Sequence, residues 1–153
     1  MNIGEICNRD VVIARRSATV VGTAQLMREE NVGSVVIVDD DLSAPKPIGI
    51  ITDRDLVVGS VASRIRLDNL TVADVMSRDP LVAQEDQGVW DTIQGMRRES
   101  VRRVPVVDTD GSLVGILSMN DLLQIMVAEL AELVPLVTRS KIDGRVAQGG
   151  SRG

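Results

Sequence analysis

Apolar residues along this chain change their spacing in a fixed order. A short apolar run, VVIA, precedes a segment whose apolar residues recur at helical spacing at Val20, Ala24 and Met27. Two more apolar runs follow, SVVIVD and PIGIIT, and the residues between them are rich in Asp, Ser and Pro, which is typical of a hairpin turn. A second helix is predicted to start directly after the hairpin. The first half of the chain is therefore predicted as strand, helix, hairpin and helix.

The second half of the chain repeats this order. The run PLVA precedes a helical pattern at Val89, Ile93 and Met96, and the runs VPVVD and LVGILS enclose an Asp-Gly turn. A helix again follows the hairpin. The first helix of each half is predicted to start at Ser17 or Thr19 and at Asp86, and the helices after the hairpins are predicted to start at Asp53 and Met119.

The two halves are copies of one unit. An offset of 69 aligns residues 10–39 with 79–108, and 12 of the 30 pairs are identical, whereas about two would be expected from ordinary composition. Once the second hairpin is shortened by three residues, GIITDRDL (49–56) falls on GILSMNDL (115–122). Two copies are too few for a solenoid, so we expect them to pack against each other about a pseudo-twofold axis. The predicted fold class is α+β, with two βαββα-type repeats.

The repeats also set the expected boundaries. We expect residues 1–69 to hold the first repeat with a lead-in helix at IGEIC, and residues 70–138 to hold the second repeat with an extended C-terminal helix that continues through Val137. VASRIRLDN is the expected connection between them. Residues 139–153 are rich in glycine and poor in apolar side chains, so we expect a disordered tail.

Composition and charge narrow the classes of partner. The net charge of −5 repels phosphate backbones, so no nucleic-acid partner is predicted. The most apolar late segment contains Glu129, Glu132 and Pro135, so no membrane partner or membrane-spanning helix is predicted. The single cysteine excludes an internal disulfide, and no signal-peptide pattern is present, so we expect a cytoplasmic location.

Catalysis finds no support among the residues. The chain has no histidine, which excludes Ser-His-Asp and Cys-His arrangements and His-ligated zinc, and it has no GxGxxG or GxxxxGK[ST] loop. We therefore predict no enzyme activity and no catalytic residue. The acidic run 39–41 lacks the spaced ligands of a calcium loop, so it is interpreted as a solvated turn and no metal site is predicted. Cys7 is interpreted as a small buried hydrophobe in the lead-in helix.

The repeated junction, TDRD and SMND, allows two interpretations. Thr52 and Ser118 are typical helix N-caps, and Asp55 and Asp121 would reach back to them as in a capping box. The same arrangement would hold a nucleotide, because free helix N–H groups suit a phosphate and a carboxylate accepts both hydroxyls of a ribose. Arg54 adds a phosphate-binding fork, whereas the second copy has Asn at this position.

The stretch from about Ile3 to Val127 resembles a tandem pair of CBS domains (cystathionine β-synthase domains), also called a Bateman module. GIITDRDL and GILSMNDL match the family's Gly-aliphatic-aliphatic-Thr/Ser-x-x-Asp motif, and VRRVPVVD matches its second strand. The resemblance implies that an adenosine-type ligand, AMP, ADP, ATP, NAD or S-adenosylmethionine, binds in clefts between the repeats. No catalytic cofactor is implied. The resemblance also implies a homodimer joined through its helices.

The resemblance further implies two nucleotide sites, each combining the Thr/Ser-x-x-Asp motif of one repeat with the second strand of the other. The second site lacks the basic residues of the first, which leaves its occupancy open. The first candidate site comprises Thr52, Arg54, Asp55, Arg102, Arg103, Val104 and Pro105. The second comprises Ser118, Asp121, Gly33, Ser34 and Val35.

The resulting prediction is a non-catalytic regulatory module that senses an adenine nucleotide and acts on a partner protein. One alternative is a structural dimerisation or scaffold module whose clefts stay empty. Another is a nucleotide-processing enzyme that uses Asp55 and Asp121 as acid and base, which the lack of histidine disfavours.

Overall fold

Strands and helices alternate in the order that the sequence predicts. A computed structural model describes residues 1–41 and 43–148 of the chain. The elements of the first half are α1 (Ile3–Ile6), β1 (Ile13–Arg15), α2 (Val20–Glu30), β2 (Ser34–Val38), β3 (Pro47–Thr52) and α3 (Asp53–Leu56), which a π-helical segment (Val57–Val61) continues. The elements of the second half are α4 (Val72–Val75), β4 (Ser77–Arg78), β5 (Ala83–Gln84), α5 (Val89–Glu99), β6 (Arg103–Val107), β7 (Leu113–Ser118) and α6 (Met119–Gln148).

The strands form two sheets of the same design. The first has the order β1-β2-β3-β4 and the second has the order β5-β6-β7. In each sheet the first two strands are parallel and the hairpin strands that follow are antiparallel, so the register Ser34↔Thr52 in one sheet matches Arg103↔Ser118 in the other. The predicted α+β class and both hairpins are confirmed.

The first lead-in segment pairs with the second repeat rather than with its own. Ile3 donates its backbone N–H to the carbonyl of Gln87 at 3.0 Å, and Asn8 and Ile116 exchange two backbone hydrogen bonds of 2.9 Å. The Ile3 side chain is fully buried there. Burial of one such aliphatic side chain is worth about 1.5–3 kcal/mol, so this segment is a structural part of the second sheet.

The second lead-in segment makes the reciprocal contact with the first repeat. Val72 donates its N–H to Ala18 at 2.9 Å, Val20 donates to Leu70 at 3.0 Å, and β4 pairs antiparallel with β3. Leu70 and Val72 belong to the buried core that also contains Val20, Met27 and Ile51. The two repeats are therefore held together by an exchange of lead-in segments.

The glycine of the repeated junction is explained by this exchange. A Cβ at Gly49 would collide with the Met76 sulfur and lie 3.0 Å from the Ser77 carbonyl oxygen, and a Cβ at Gly115 would lie 2.5 Å from Cys7 Sγ and 3.1 Å from the Asn8 carbonyl oxygen. Each glycine thus leaves room for the lead-in segment of the other repeat, which crosses directly over it.

The predicted helix starts are confirmed in three of four cases. Thr19 caps α2 through its hydroxyl, which accepts the Gly22 N–H at 3.0 Å, and α3 and α6 begin at Asp53 and Met119. The prediction of Asp86 is wrong, because α5 begins at Val89. A turn closed by Gln87 N–H and the Gln84 carbonyl at 3.0 Å intervenes, and it takes up Asp86.

Residues 39–41 lie in the first hairpin connection, as predicted. The Asp41 carboxylate accepts both the backbone N–H and the hydroxyl of Ser43, and these hydrogen bonds lower the pKa of Asp41 below its ordinary value. Among the described residues, no group of three or more Asp, Glu or Cys side chains is arranged to hold a metal ion. The acidic run thus shapes a turn.

Residues 1–118 form one compact unit, and α6 belongs to a second one. The helix runs from Met119 to Gln148, past the end expected near residue 138, and Pro135 lies inside it. Residues 149–153 of the predicted tail lie outside the described residues. Within the described part of the chain, no helix is long and apolar enough to cross a membrane.

Substitution of either crossing glycine tests the exchange. Gly49→Ala and Gly115→Ala are each expected to lower the free energy of unfolding by about 1–3 kcal/mol, because the added methyl collides with backbone as well as side-chain atoms. Gly33→Ala is the matched control, since the nearest atom to its Cβ would be a flexible carboxylate oxygen at 3.4 Å. Urea unfolding measures all three, and equal stabilities would contradict the close crossing.

Cys7 alkylation reports on the same contact from the other side. Burial raises the pKa of the Cys7 thiol above its ordinary value, and the nearby Arg9 guanidinium offsets only part of this effect. Because the thiolate is the reactive form, we expect iodoacetamide to label Cys7 more slowly in the folded protein at pH 7 than in urea. Equal rates, measured by mass spectrometry, would show that the lead-in segment is not packed.

Candidate functional site

A cleft of about 850 Å³ opens between the two repeats, inside the unit formed by residues 1–118. Its walls come from the β3–α3 junction, from β4 and the turn after it, and from the α5–β6 connection. The lining residues are Ile50, Thr52, Asp53, Arg54, Asp55, Ser77, Arg78, Asp79, Pro80, Leu81, Glu99, Val101, Arg102 and Arg103. A cleft of this size is within the range of small-molecule sites.

One wall of the cleft is the N-terminal cap of α3, in which the Asp55 carboxylate uses only one of its two oxygens. Thr52 Oγ1 accepts the Asp55 N–H at 3.2 Å, and Asp55 Oδ2 accepts the Thr52 N–H at 2.9 Å, which completes a reciprocal capping box. Within the described part of the chain, Asp55 Oδ1 accepts no hydrogen bond from the protein. The carboxylate can therefore cap the helix and still accept a ligand hydroxyl.

The opposite wall is basic. Arg102 and Arg103 lie where the chain leaves α5 and enters β6, and Arg103 is half-buried. Gly33 connects the two walls: its carbonyl accepts the Asp53 N–H at 3.1 Å, and a Cβ built on it would lie 3.4 Å from Asp53 Oδ2 and 3.7 Å from Arg103 Nη2.

The cleft arginines are not neutralised by the protein. In the part of the chain that the structure describes, no carboxylate oxygen lies within 4.0 Å of a guanidinium nitrogen of Arg54, Arg78, Arg102 or Arg103. Glu99, which also lines the cleft, lies 3.7 Å from Arg98 Nε instead. The arrangement suits an anion that carries hydroxyl groups, because guanidinium forks bind phosphate and a carboxylate binds a diol.

Comparison with known proteins identifies the repeats. The model of the CBS domain matches residues 3–60 and again residues 72–128. The chain belongs to the CBS domain family. An uncharacterized protein of Methanopyrus kandleri is 39% identical over 125 residues, which are 82% of this chain and 62% of that protein. The chain thus spans about six-tenths of the length of this relative.

Solved CBS structures share the fold. A CBS domain protein from Pyrobaculum aerophilum complexed with AMP has a TM-score of 0.74 and 28% identity, over 86% of this chain and 99% of that one. A CBS domain pair in complex with 5'-methylthioadenosine and S-adenosyl-L-methionine has a TM-score of 0.72 and 25% identity, over 82% of this chain and 99% of that one. CBS pairs similar to this chain therefore bind adenosine-containing ligands.

The first candidate set falls partly in the cleft of this CBS pair. Thr52, Arg54, Asp55, Arg102 and Arg103 line it together. Val104 and Pro105 do not, because both residues are buried in the sheet, where they pair with Leu117 and Ile116. Val104 lines a smaller pocket beside the cleft.

The second candidate set is divided between the unit of residues 1–118 and helix α6. Gly33 lies beside Asp53 of the first cleft, Ser34 is the sheet partner of Thr52, and the Val35 side chain is fully buried. Ser118 is the sheet partner of Arg103, whereas Asp121 lies in the first turn of α6, outside the unit of residues 1–118.

Sequence reasoning missed the wall that the exchanged segment contributes. Ser77 and Arg78 of β4, and the Asp79-Pro80 turn after them, line the cleft although they precede the second repeat's first strand. The tripeptides NRD (8–10) and SRD (77–79) share an Arg-Asp pair at equivalent positions, which could have indicated a common role. Only the exchange of lead-in segments between the CBS repeats shows which cleft the second tripeptide enters.

Proposed function

We propose that this protein is a non-catalytic regulatory module that binds an adenine nucleotide in the cleft and passes the binding signal to a partner protein. The proposal is carried by one observation: a capping box with a spare carboxylate oxygen faces a pair of arginines from the other repeat across one cleft. The AMP and S-adenosyl-L-methionine complexes of similar CBS pairs support the ligand class.

The proposed binding mode divides the ligand between the two walls. Asp55 Oδ1 would accept the ribose hydroxyls, while Arg54, Arg102 and Arg103 would bind the phosphate. Charge-assisted hydrogen bonds of this kind are about twice as strong as neutral ones. Because Arg54 belongs to the first repeat and the other two arginines to the second, a bound ligand would favour one packing of the repeats, which is the population shift that a sensor requires.

A scaffold with empty clefts is the second candidate function, and one surface feature favours it. Val57, Val58, Val61 and Ile65 are each more than half exposed and lie on and just beyond the π-helical segment. Burial of such a group against a second copy would be worth several kcal/mol, at about 25 cal/mol per Å² of apolar area. In the scaffold function the homodimer would form through this segment.

The ligand test compares two matched carboxylates. The Asp74 carboxylate accepts the Thr71 N–H at 3.0 Å, as that of Asp55 accepts the Thr52 N–H, but Asp74 lies outside the cleft. Asp55→Ala and Asp74→Ala are each expected to cost about 0.5–2 kcal/mol of stability as lost caps. A nucleotide at 100 times its Kd should raise the Tm of the wild type and of Asp74→Ala by about 5–10 °C, but not that of Asp55→Ala.

The panel for this thermal test is AMP, ADP, ATP, NAD and S-adenosylmethionine. If none of them raises the Tm of the wild type, the cleft is not a nucleotide site and the scaffold function stands. If the Asp55→Ala variant keeps the full ligand shift, the protein binds the nucleotide elsewhere.

The dimer test introduces a charge into the apolar segment. Val61→Glu is expected to convert a dimer into a monomer, because an unpaired carboxylate cannot be buried without a cost of several kcal/mol. Thr109→Glu, in the exposed second hairpin, is the control for the added charge. Light scattering gives the mass of each variant, and a wild-type monomer or a dimeric Val61→Glu variant would rule out this interface.

A further inference from the structure

One arginine occurs at the same position of both repeats but has different contacts in each. Arg9 and Arg78 are equivalent under the offset of 69. Arg9 is held by the protein: both of its Nη atoms lie 3.4 Å from Glu85 Oε2, and Nη2 donates to the Gly4 carbonyl at 2.9 Å. Its guanidinium is thus used to fix the first lead-in segment on the second repeat.

Arg78 has lost the partner that holds Arg9. The position equivalent to Glu85 is occupied by Arg16, which cannot form an ion pair with a guanidinium group. The one protein hydrogen bond of the Arg78 side chain among the described residues is a long one, 3.5 Å, from Nη2 to the Ala73 carbonyl. Arg78 is exposed and lines the cleft. Its guanidinium is therefore available to a ligand.

The charges that face the cleft leave this arginine without a counter-ion. The lining has four acidic residues. Asp53 accepts the Arg54 N–H at 2.8 Å, Asp55 serves the capping box and Glu99 pairs with Arg98. Asp79, the residue after Arg78, forms no ion pair with it among the described residues. In the part of the chain that the structure describes, none of the four lining arginines forms an ion pair with a carboxylate. In formal charge the four arginines are balanced by the four carboxylates of the lining, so the case for Arg78 rests on its lack of an ion pair and on its place on a separate wall of the cleft.

We propose that Arg78 is a specificity-determining residue that makes the cleft prefer nucleotides with two or more phosphates over a nucleoside monophosphate. The inference rests on the proposed function, because it concerns the same cleft. Arg54, Arg102 and Arg103 bind the first phosphate, and Arg78, which enters from the exchanged strand β4, binds the further phosphates of ADP or ATP.

Isothermal titration calorimetry with AMP, ADP and ATP tests this preference. The wild type is expected to bind ATP about tenfold more tightly than AMP, or better, since one charge-assisted contact is worth about a factor of ten. Arg78→Gln is expected to lose about tenfold in ATP affinity and less than twofold in AMP affinity. Arg97→Gln, at an exposed position of α5 outside the cleft, is the charge-matched control and should leave both affinities unchanged.

A second variant tests the origin of the preference without changing a cleft residue. Arg16→Glu places a carboxylate at the position equivalent to Glu85, where it should draw Arg78 into an ion pair and lower ATP affinity selectively. Arg15→Glu makes the same change of charge one position earlier, on β1, and should not. This pair keeps the test decisive if the Arg78→Gln variant is unstable.

The outcomes separate the inference from the proposed function. If the wild type binds AMP as tightly as ATP, or if Arg78→Gln weakens both ligands by the same factor, the specificity role of Arg78 is wrong while nucleotide binding stands. If Arg15→Glu lowers ATP affinity as much as Arg16→Glu does, general charge rather than a specific pair sets the preference. If no nucleotide binds to the wild type, the proposed function itself fails.

Discussion

The reciprocal exchange of lead-in segments is the interaction on which the rest of the structure depends. Each sheet is completed by a segment that the sequence assigns to the other repeat, and each segment crosses a glycine at the sheet surface. The exchange buries Ile3 and Val72 in cores that are not those of their own repeats. It also carries β4 into the wall of the cleft, so the same contact that joins the repeats builds part of the site.

The junction at the start of α3 can combine helix capping with ligand binding, the two interpretations that its sequence allows. A capping carboxylate is needed for the backbone of Thr52, and a ligand needs an acceptor at the same place. Because a carboxylate has two oxygens, Asp55 can supply one to each. Local helix stability and ligand binding are thus coupled through one side chain.

Much of this architecture could be predicted from the sequence, because it is written in local patterns. Apolar spacing predicted the order of strands and helices, and the resemblance to tandem CBS domains placed Thr52, Asp55, Arg102 and Arg103 in one candidate site. The exchange could not be predicted in this way, since the pairing of Asn8 with Ile116 joins residues that are far apart and leaves no local pattern. Arg78 was missed for the same reason. The sequence prediction placed the start of α5 at Asp86, because Asp is a common cap residue. In the structure Asp86 lies in a turn, and the helix begins after it, at Val89.

The crossed lead-in segments also bear on how such a duplicated chain can arise. A single repeat, cut at the connection between the halves, would have a sheet that lacks its last segment and a lead-in segment with no surface to cover. Two separate copies of that repeat could complete each other by the same reciprocal crossing. The internal duplication therefore resembles a domain-swapped dimer whose two protomers are covalently linked. The glycine in each junction is the residue that makes room for the swapped segment.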